Sequence, residues 1–124
     1  MTATRMKPEI KAKWIEALRS GKYKKGAFAL QSITETQTKF CCLGVLCELA
    51  VEEKVIKPPR FYGRYARYGL KPENESLLPR KVAKWAGIPP HPQVSADDPQ
   101  YRIADKNDTV GTFEEVIPLI ESLL

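Results

Sequence analysis

The chain has 124 residues, 43% hydrophobic and 28% charged, which is typical of one globular domain and predicts a single domain over residues 1–124. No apolar run approaches the roughly 20 residues of a membrane-spanning helix, and no apolar leader opens the chain, so we expect a cytoplasmic protein without a membrane partner. The net charge is +5 and is unevenly spread: residues 1–62 hold 12 Lys/Arg and 6 acidic residues, and residues 63–124 hold 8 and 9. The basic first half favours anionic partners, unless its charge serves solubility alone.

The first predicted element is a helix over residues 8–20. Pro8 suits the first turn of a helix, where its missing N–H has no partner to lose. Gly21 follows the last turn, where a left-handed cap is common. Apolar residues recur inside the segment at helical spacing and predict its buried stripe: Ile10, Trp14, Ala17 and Leu18.

A hairpin and a buried helix are predicted next. Two antiparallel strands are expected over about 27–33 and 37–41, with a turn near Glu35, because the segment is rich in β-branched residues. Residues 42–54 form the second predicted helix, which is apolar on nearly every side and therefore expected to be buried. Gly44 costs about 1 kcal/mol of helix propensity against alanine, so we expect another backbone to pack closely against it.

Residues 57–75 are predicted as a long connection, because three prolines and two glycines interrupt them. A third helix is expected over 79–86, where Gly87 ends it, and residues 88–99 are predicted as a loop. Residues 101–104 are expected to form a short extended piece.

The last predicted helix covers residues 113–123. Thr112 suits the N-cap position, and Glu115 stands where its capping-box partner belongs. Pro118 lies inside the segment and should kink or split the helix. The predicted fold class is therefore α+β, with about four helices and a small antiparallel hairpin.

The three cysteines, Cys41, Cys42 and Cys47, are predicted to be core residues. A nucleophilic cysteine needs a base, and nothing in the spacing selects His91, the only histidine. Zinc would need all three thiols and this histidine to converge. Glu48, without a second carboxylate, is expected to pair with a lysine or arginine or to lie at the rim. We therefore expect no catalytic residue, no metal and no cofactor, and an odd cysteine count does not suggest disulfides.

Residues 57–71 alternate basic and aromatic side chains with no acidic residue between them. Arginine binds phosphate oxygens through its planar fork, and tyrosine rings offer stacking faces for bases. If the segment were locally helical, an arginine edge would lie beside a tyrosine edge. The alternative is a solvated loop whose tyrosines lie on the core. The candidate ligand-binding residues here are Arg60, Tyr62, Arg64, Tyr65, Arg67 and Tyr68.

A second candidate segment is the polar stretch over 105–112. Asn107, Asp108 and Thr109 favour turns, and a loop before a helix can present ligand contacts. The neighbouring carboxylates oppose an anion, so this loop would read donor groups of a ligand. Ordinary turn and helix-start chemistry is the alternative reading of the same three residues.

The string FCCLGVLCELA, residues 40–50, resembles a family of small uncharacterised tailed-phage and prophage proteins. WIEALRSGKY, LLPRKVAKWAG and GTFEEVIPLIESLL are similar to other parts of that family. The chain departs from the family at Lys24 and Lys25, where a glutamine is frequent, and at Pro118. The resemblance implies a phage-encoded accessory protein that acts in the host cytoplasm, and it implies no catalytic residue.

The leading hypothesis is a non-enzymatic binder that antagonises host defence by sequestering a nucleotide-type ligand, held by the arginines and tyrosines of 60–68. Such a protein is expected to be a homo-oligomer with sites between protomers. One alternative is a protein–protein inhibitor of a host enzyme or defence complex, with the same segment as its hot spot. Nucleic-acid binding and a cysteine-dependent enzyme are further alternatives.

Overall fold

The computed structural model of the chain describes residues 6–34, 36–88 and 99–124. Within them, five helices are α1 (Pro8–Arg19), α2 (Cys42–Glu52), α3 (Arg80–Ala86), α4 (Pro99–Thr109) and α5 (Ile117–Leu123), and four strands are β1 (Gln31–Ile33), β2 (Thr38–Phe40), β3 (Arg60–Tyr62) and β4 (Tyr65–Arg67). Two 3₁₀ turns cover Pro72–Glu75 and Phe113–Glu115. The predicted α+β class is confirmed.

The central helix α2 is the core of the fold, as its apolar sequence predicts. Seven of its eleven residues are buried, from Cys42 to Cys47 and at Ala50. The indole N–H of Trp14 on α1 donates to the carbonyl of Cys42 across 2.8 Å, which joins the two helices. A Cβ at Gly44 would overlap the backbone carbonyl of Leu30, so the predicted close backbone approach is confirmed.

The sheet has four antiparallel strands in the order β2-β1-β4-β3. The predicted β1–β2 hairpin is confirmed, with shorter strands, and Thr34 donates its N–H to the carbonyl of Gln37 across 2.8 Å in the turn. Glu35, the predicted centre of that turn, lies outside the described residues.

The long connection predicted over 57–75 contains the β3–β4 hairpin at residues 60–67, so that prediction is wrong there, and the local helix considered for 57–71 does not form. Tyr62 pairs with Tyr65 around a two-residue turn in which Gly63 has φ 65°. Their three-residue spacing is therefore produced by the turn and is no sign of a helix.

Two expectations for the carboxyl-terminal part are also wrong. The extended piece over 101–104 and the polar turn over 105–112 fall largely within the helix α4. Ile103 and Asn107 stand one turn apart and are both fully buried, so tertiary packing overrides the weak helix propensity of Asn107, Asp108 and Thr109. The predicted loop over 88–99 lies mostly outside the described residues, in 89–98.

The helix ends follow local signals more closely. Pro118 lies in the first turn of α5, and the predicted last helix is split at that point into a 3₁₀ turn and α5. The backbone N–H of Thr112 donates to the Glu115 carboxylate across 3.1 Å, as the capping box predicts. Gly21 and Gly87 follow their helices with φ of 78° and 83°. No helix in the described part of the chain has both the length and the apolar character to cross a membrane.

Candidate functional site: a basic groove at the carboxyl end of α2

A groove of about 1180 Å³ opens where α2 ends, between the segment after α2, the foot of the β3–β4 hairpin and the start of α3. We call it the basic groove. Its apolar lining comes from the last turn of α2, the segment that follows it, and the segment leading into α3: Val51, Val55, Ile56, Leu77, Leu78 and Ala83. Its cationic lining is Lys54, Lys57, Arg60, Arg67, Lys71, Arg80 and Lys81.

The charge of the basic groove has one sign. Seven lysines and arginines line it, and none of its described lining residues is acidic. All but Arg67 are exposed, and none of those six forms an ion pair within the described residues. Low-dielectric walls and unpaired charges of one sign concentrate counter-ions, so the groove attracts an anion.

Arg67 differs from the other six because its charge is already matched. Its Nη2 and Nε atoms donate to Glu75 across 2.8 and 3.2 Å, with the two side chains only 19% and 27% exposed. Its guanidinium carbon lies 3.9 Å from the centre of the Tyr62 ring. Arg67 therefore fixes the ring of Tyr62 beside the groove rather than offering a free charge.

Tyr68 lines the basic groove and separates Glu48 from it. Its hydroxyl lies 2.6 Å from both the Glu48 carboxylate and the Gln31 side chain. A phenol carries one O–H, so Tyr68 donates at any moment either to the Glu48 carboxylate or to the side-chain oxygen of Gln31. Burial and the adjacent Glu48 hold the pKa of Tyr68 far above its usual range. The partner of Glu48 is thus a tyrosine, and the expected lysine or arginine partner is not found within the described residues.

Strand alternation places Arg60, Tyr62, Tyr65 and Arg67 on one face of the β3–β4 hairpin, opposite Ala66. Arg60, Arg67 and Tyr68 line the basic groove. Tyr62 and Tyr65 face each other across the hairpin and are about half exposed, on the sheet face away from buried Ala66. Arg64, in the turn, is exposed.

The second predicted segment lies at the other end of α2. Asn107 is fully buried, and its side-chain oxygen accepts the N–H of Cys42 across 3.0 Å while its NH₂ donates to the carbonyl of Gly26 across 3.0 Å. The Asp108 carboxylate accepts the N–H of Phe28 across 2.9 Å. We call these five residues the amino-end cluster. Their polar groups satisfy one another, which accounts for Asn107 and Asp108 without a ligand.

Thr109 is also accounted for locally, because its hydroxyl donates to the carbonyl of Lys106 across 3.0 Å. The helix α2 has eleven residues and so spans about 16 Å. The amino-end cluster and the basic groove lie at its opposite ends. The structure therefore does not bring the two predicted segments together.

Sequence reasoning missed three groove residues, Lys54, Arg80 and Lys81. They stand on separate segments, 26 residues apart along the chain, and no motif links them. The one available signal is that Arg80 and Lys81 open a helix without a nearby acid, although helix starts favour acidic residues.

The cysteines are core residues, as predicted. All three are free and buried. Burial raises the pKa of Cys41 to about 12 and raises those of Cys42 and Cys47 well above the usual value. At neutral pH the thiols are protonated and therefore weak nucleophiles. His91 lies outside the described residues. Within the described part of the chain, no group of His, Cys, Asp or Glu side chains could hold a metal ion.

Fold and groove together define a small α+β protein with a cation-lined candidate binding site and no recognisable catalytic set among its described residues. The family model "Domain of unknown function (DUF8296)" matches residues 6–124, and the chain belongs to this family. Membership in an uncharacterised family, as the central motif predicts, is thereby established. Comparison with curated proteins and with solved structures gives no match.

Proposed function

We propose that the protein is a non-enzymatic binder that sequesters an anionic nucleotide-type ligand in the basic groove. The observation that carries this proposal is the lining itself, with six exposed cations that lack an ion-pair partner among the described residues above an apolar floor. Lysine and arginine bind phosphate oxygens by charge-assisted hydrogen bonds, and an apolar floor suits the faces of a sugar and a base. Sequestration requires only affinity, so no reacting group is needed.

Tyr62 is the proposed stacking platform beside the phosphate site. Its ring is held by Arg67, whose own charge is matched by Glu75, and it remains half exposed. A ring fixed before binding loses little conformational entropy when a base stacks on it. This arrangement favours a ligand that carries a base as well as phosphate.

The biological part of the proposal is that the protein is phage-encoded and antagonises host antiviral defence in the host cytoplasm. It rests on the resemblance of residues 40–50 to phage proteins. A homo-oligomer with sites between protomers belongs to the same proposal. Native mass spectrometry of protein from infected cells tests both parts, since it reports the assembly and any co-purified nucleotide together.

Calorimetric titration with mono-, di- and cyclic nucleotides tests the binding, and Lys81→Glu tests the site. We expect this reversal to weaken nucleotide binding at least tenfold, because it places a carboxylate among the groove cations. Lys84→Glu is the matched control, since Lys84 is exposed on the same helix but does not line the groove. Equal loss in both variants, or no heat with any nucleotide, would contradict the proposal.

A protein inhibitor is the second candidate, supported by the exposed rings of Phe61, Tyr62 and Tyr65 on one hairpin. Exposed aromatic residues beside arginines are frequent hot spots of protein interfaces. A stoichiometric host protein retained from lysate by the wild type and lost with Tyr65→Ala would favour this candidate. Affinity for long single strands that falls steeply with salt would favour nucleic-acid binding instead.

A further inference from the structure

The unpaired cations of the basic groove stand on three separate segments. One pair follows α2, one pair comes from the hairpin foot and the loop after it, and one pair opens α3. The groove therefore draws six unpaired positive charges from three parts of the chain. The pairs are Lys54 with Lys57, Arg60 with Lys71, and Arg80 with Lys81.

A single phosphate group does not match this arrangement. It carries about two negative charges at neutral pH, so about four of the six unpaired cations would remain without a counter-charge. The groove volume of about 1180 Å³ also exceeds the roughly 300–1,000 Å³ of common small-ligand pockets. Both observations favour a longer ligand that carries its charges apart.

We infer that the ligand carries at least two phosphate groups separated by a nucleoside, as in a dinucleotide or a short single strand. This inference rests on the proposed function and specifies its ligand. Each phosphate lies against a different cation pair, and the nucleoside between them lies over the apolar lining. Contiguous phosphates, as in a nucleoside triphosphate, reach fewer pairs.

Four probes of graded charge spacing test the inference by calorimetry. We expect 5′-phosphorylated dithymidine to bind at least tenfold more tightly than thymidine 5′-monophosphate, and more tightly than ATP despite the higher charge of ATP. The same dinucleotide with a neutral methylphosphonate linkage keeps its size but loses the separated charge, and should bind like the monophosphate. The salt dependence should steepen by about 0.7 in log–log slope for each phosphate engaged.

The outcomes separate this inference from the proposed function. The spacing inference is wrong if the monophosphate, ATP or the neutral-linked dinucleotide binds as tightly as dithymidine phosphate. The groove still binds nucleotides in that case if Lys81→Glu weakens their binding and Lys84→Glu does not. If none of the four probes binds, the spacing inference is wrong, and if the cyclic nucleotides give no heat either, the proposed function is wrong as well.

Lys54 supports a second inference through an independent observation, its backbone conformation. The helix α2 ends with the N–H of Val55 donating to Ala50 across 2.9 Å and that of Lys54 donating to Val51 across 3.0 Å. This is the Schellman pattern, in which the residue at the Lys54 position adopts a left-handed conformation and is usually glycine. Lys54 has φ 62°, which disfavours any residue with a Cβ.

We infer that Lys54 contacts the ligand and is retained there at a cost in stability. Its side chain is exposed, forms no ion pair within the described residues and lines the basic groove. Nothing in its described surroundings therefore requires a lysine, whereas an anionic ligand does. A residue in a disfavoured backbone conformation often marks a functional position.

Lys54→Gly should raise the melting temperature by about 2–5 °C. It should also weaken the binding of dithymidine phosphate at least threefold. Lys54→Met, which keeps the Cβ and loses the charge, should weaken the binding of dithymidine phosphate equally without raising the melting temperature. Unchanged affinity in both variants, or no binding by the wild type, would overturn the inference, and so would a glycine variant that is no more stable.

Discussion

The two ends of α2 use polar residues in opposite ways. At the amino end, buried Asn107 and half-buried Asp108 satisfy backbone groups of Cys42, Gly26 and Phe28. At the carboxyl end, six exposed cations around the basic groove have no ion-pair partner in the described structure. Since a buried polar group must be paired while an exposed charge need not be, the first arrangement stabilises the fold and the second is available to a ligand.

Both ends also contain a non-glycine residue with positive φ, Phe28 at 69° and Lys54 at 62°. Asp108 holds the N–H of Phe28, so the amino-end cluster itself accounts for that conformation. The helix end holds the backbone of Lys54, but no described contact requires its side chain. The side chain of Phe28 is also exposed, so backbone strain alone does not mark a binding position, and Lys54 is distinguished by lining the basic groove.

Asn107→Ala is expected to have the largest effect on stability. It leaves the buried N–H of Cys42 and the half-buried carbonyl of Gly26 without their partner, so the free energy of unfolding should fall by about 3 kcal/mol. Urea denaturation measures this free energy. Lys106→Ala, on the exposed neighbouring position, is the control and should change it by less than about 0.5 kcal/mol. A loss below about 1 kcal/mol for Asn107→Ala would break the assignment of the amino-end cluster to the fold.

Part of the pH dependence of stability should come from the same end. Burial raises the pKa of Cys41 from 9.0 to about 12, so above pH 9 the unfolded chain loses this proton while the folded chain keeps it. Stability is therefore full below pH 9 and falls as the pH rises toward 12, by about 1 kcal/mol from this thiol at pH 10. Urea denaturation at pH 8 and pH 10 should show a smaller decrease in Cys41→Ala than in the wild type. Equal decreases would mean that this thiol is not shielded from solvent.

Arg67→Lys is expected to have the smallest effect. It tests whether Arg67 stabilises the fold or binds the ligand. Lysine keeps the charge but loses the planar contact with Tyr62 and one of the two donors to Glu75, so stability should fall by about 0.5 kcal/mol. Affinity for dithymidine phosphate should stay within twofold of the wild type. A tenfold loss of affinity with unchanged stability would place Arg67 among the ligand-binding residues.

Local patterns predicted much of the fold and singled out the segment 57–71, which holds four of the seven groove cations. The apolar stripe around Trp14, the buried α2 with Gly44 and the split at Pro118 all follow from periodicity or backbone chemistry within a few residues. The hairpin at 60–67 was missed because a two-residue turn gave its tyrosines a spacing close to a helical one. The helix α4 was missed because burial of Asn107 depends on partners 65 and 81 residues away.

The amino-acid sequence by itself determined which helix is central, about where α1, α2 and α3 begin and end, and that residues 57–71 carry positive charge without an acidic residue among them. These properties depend on neighbours along the chain. Only the tertiary structure decided that β4 pairs with β1 and that Lys54, Lys71 and Arg80 line one groove. It also decided that Asn107 is a core residue. Such juxtapositions depend on contacts between distant segments, whose partners no local pattern specifies.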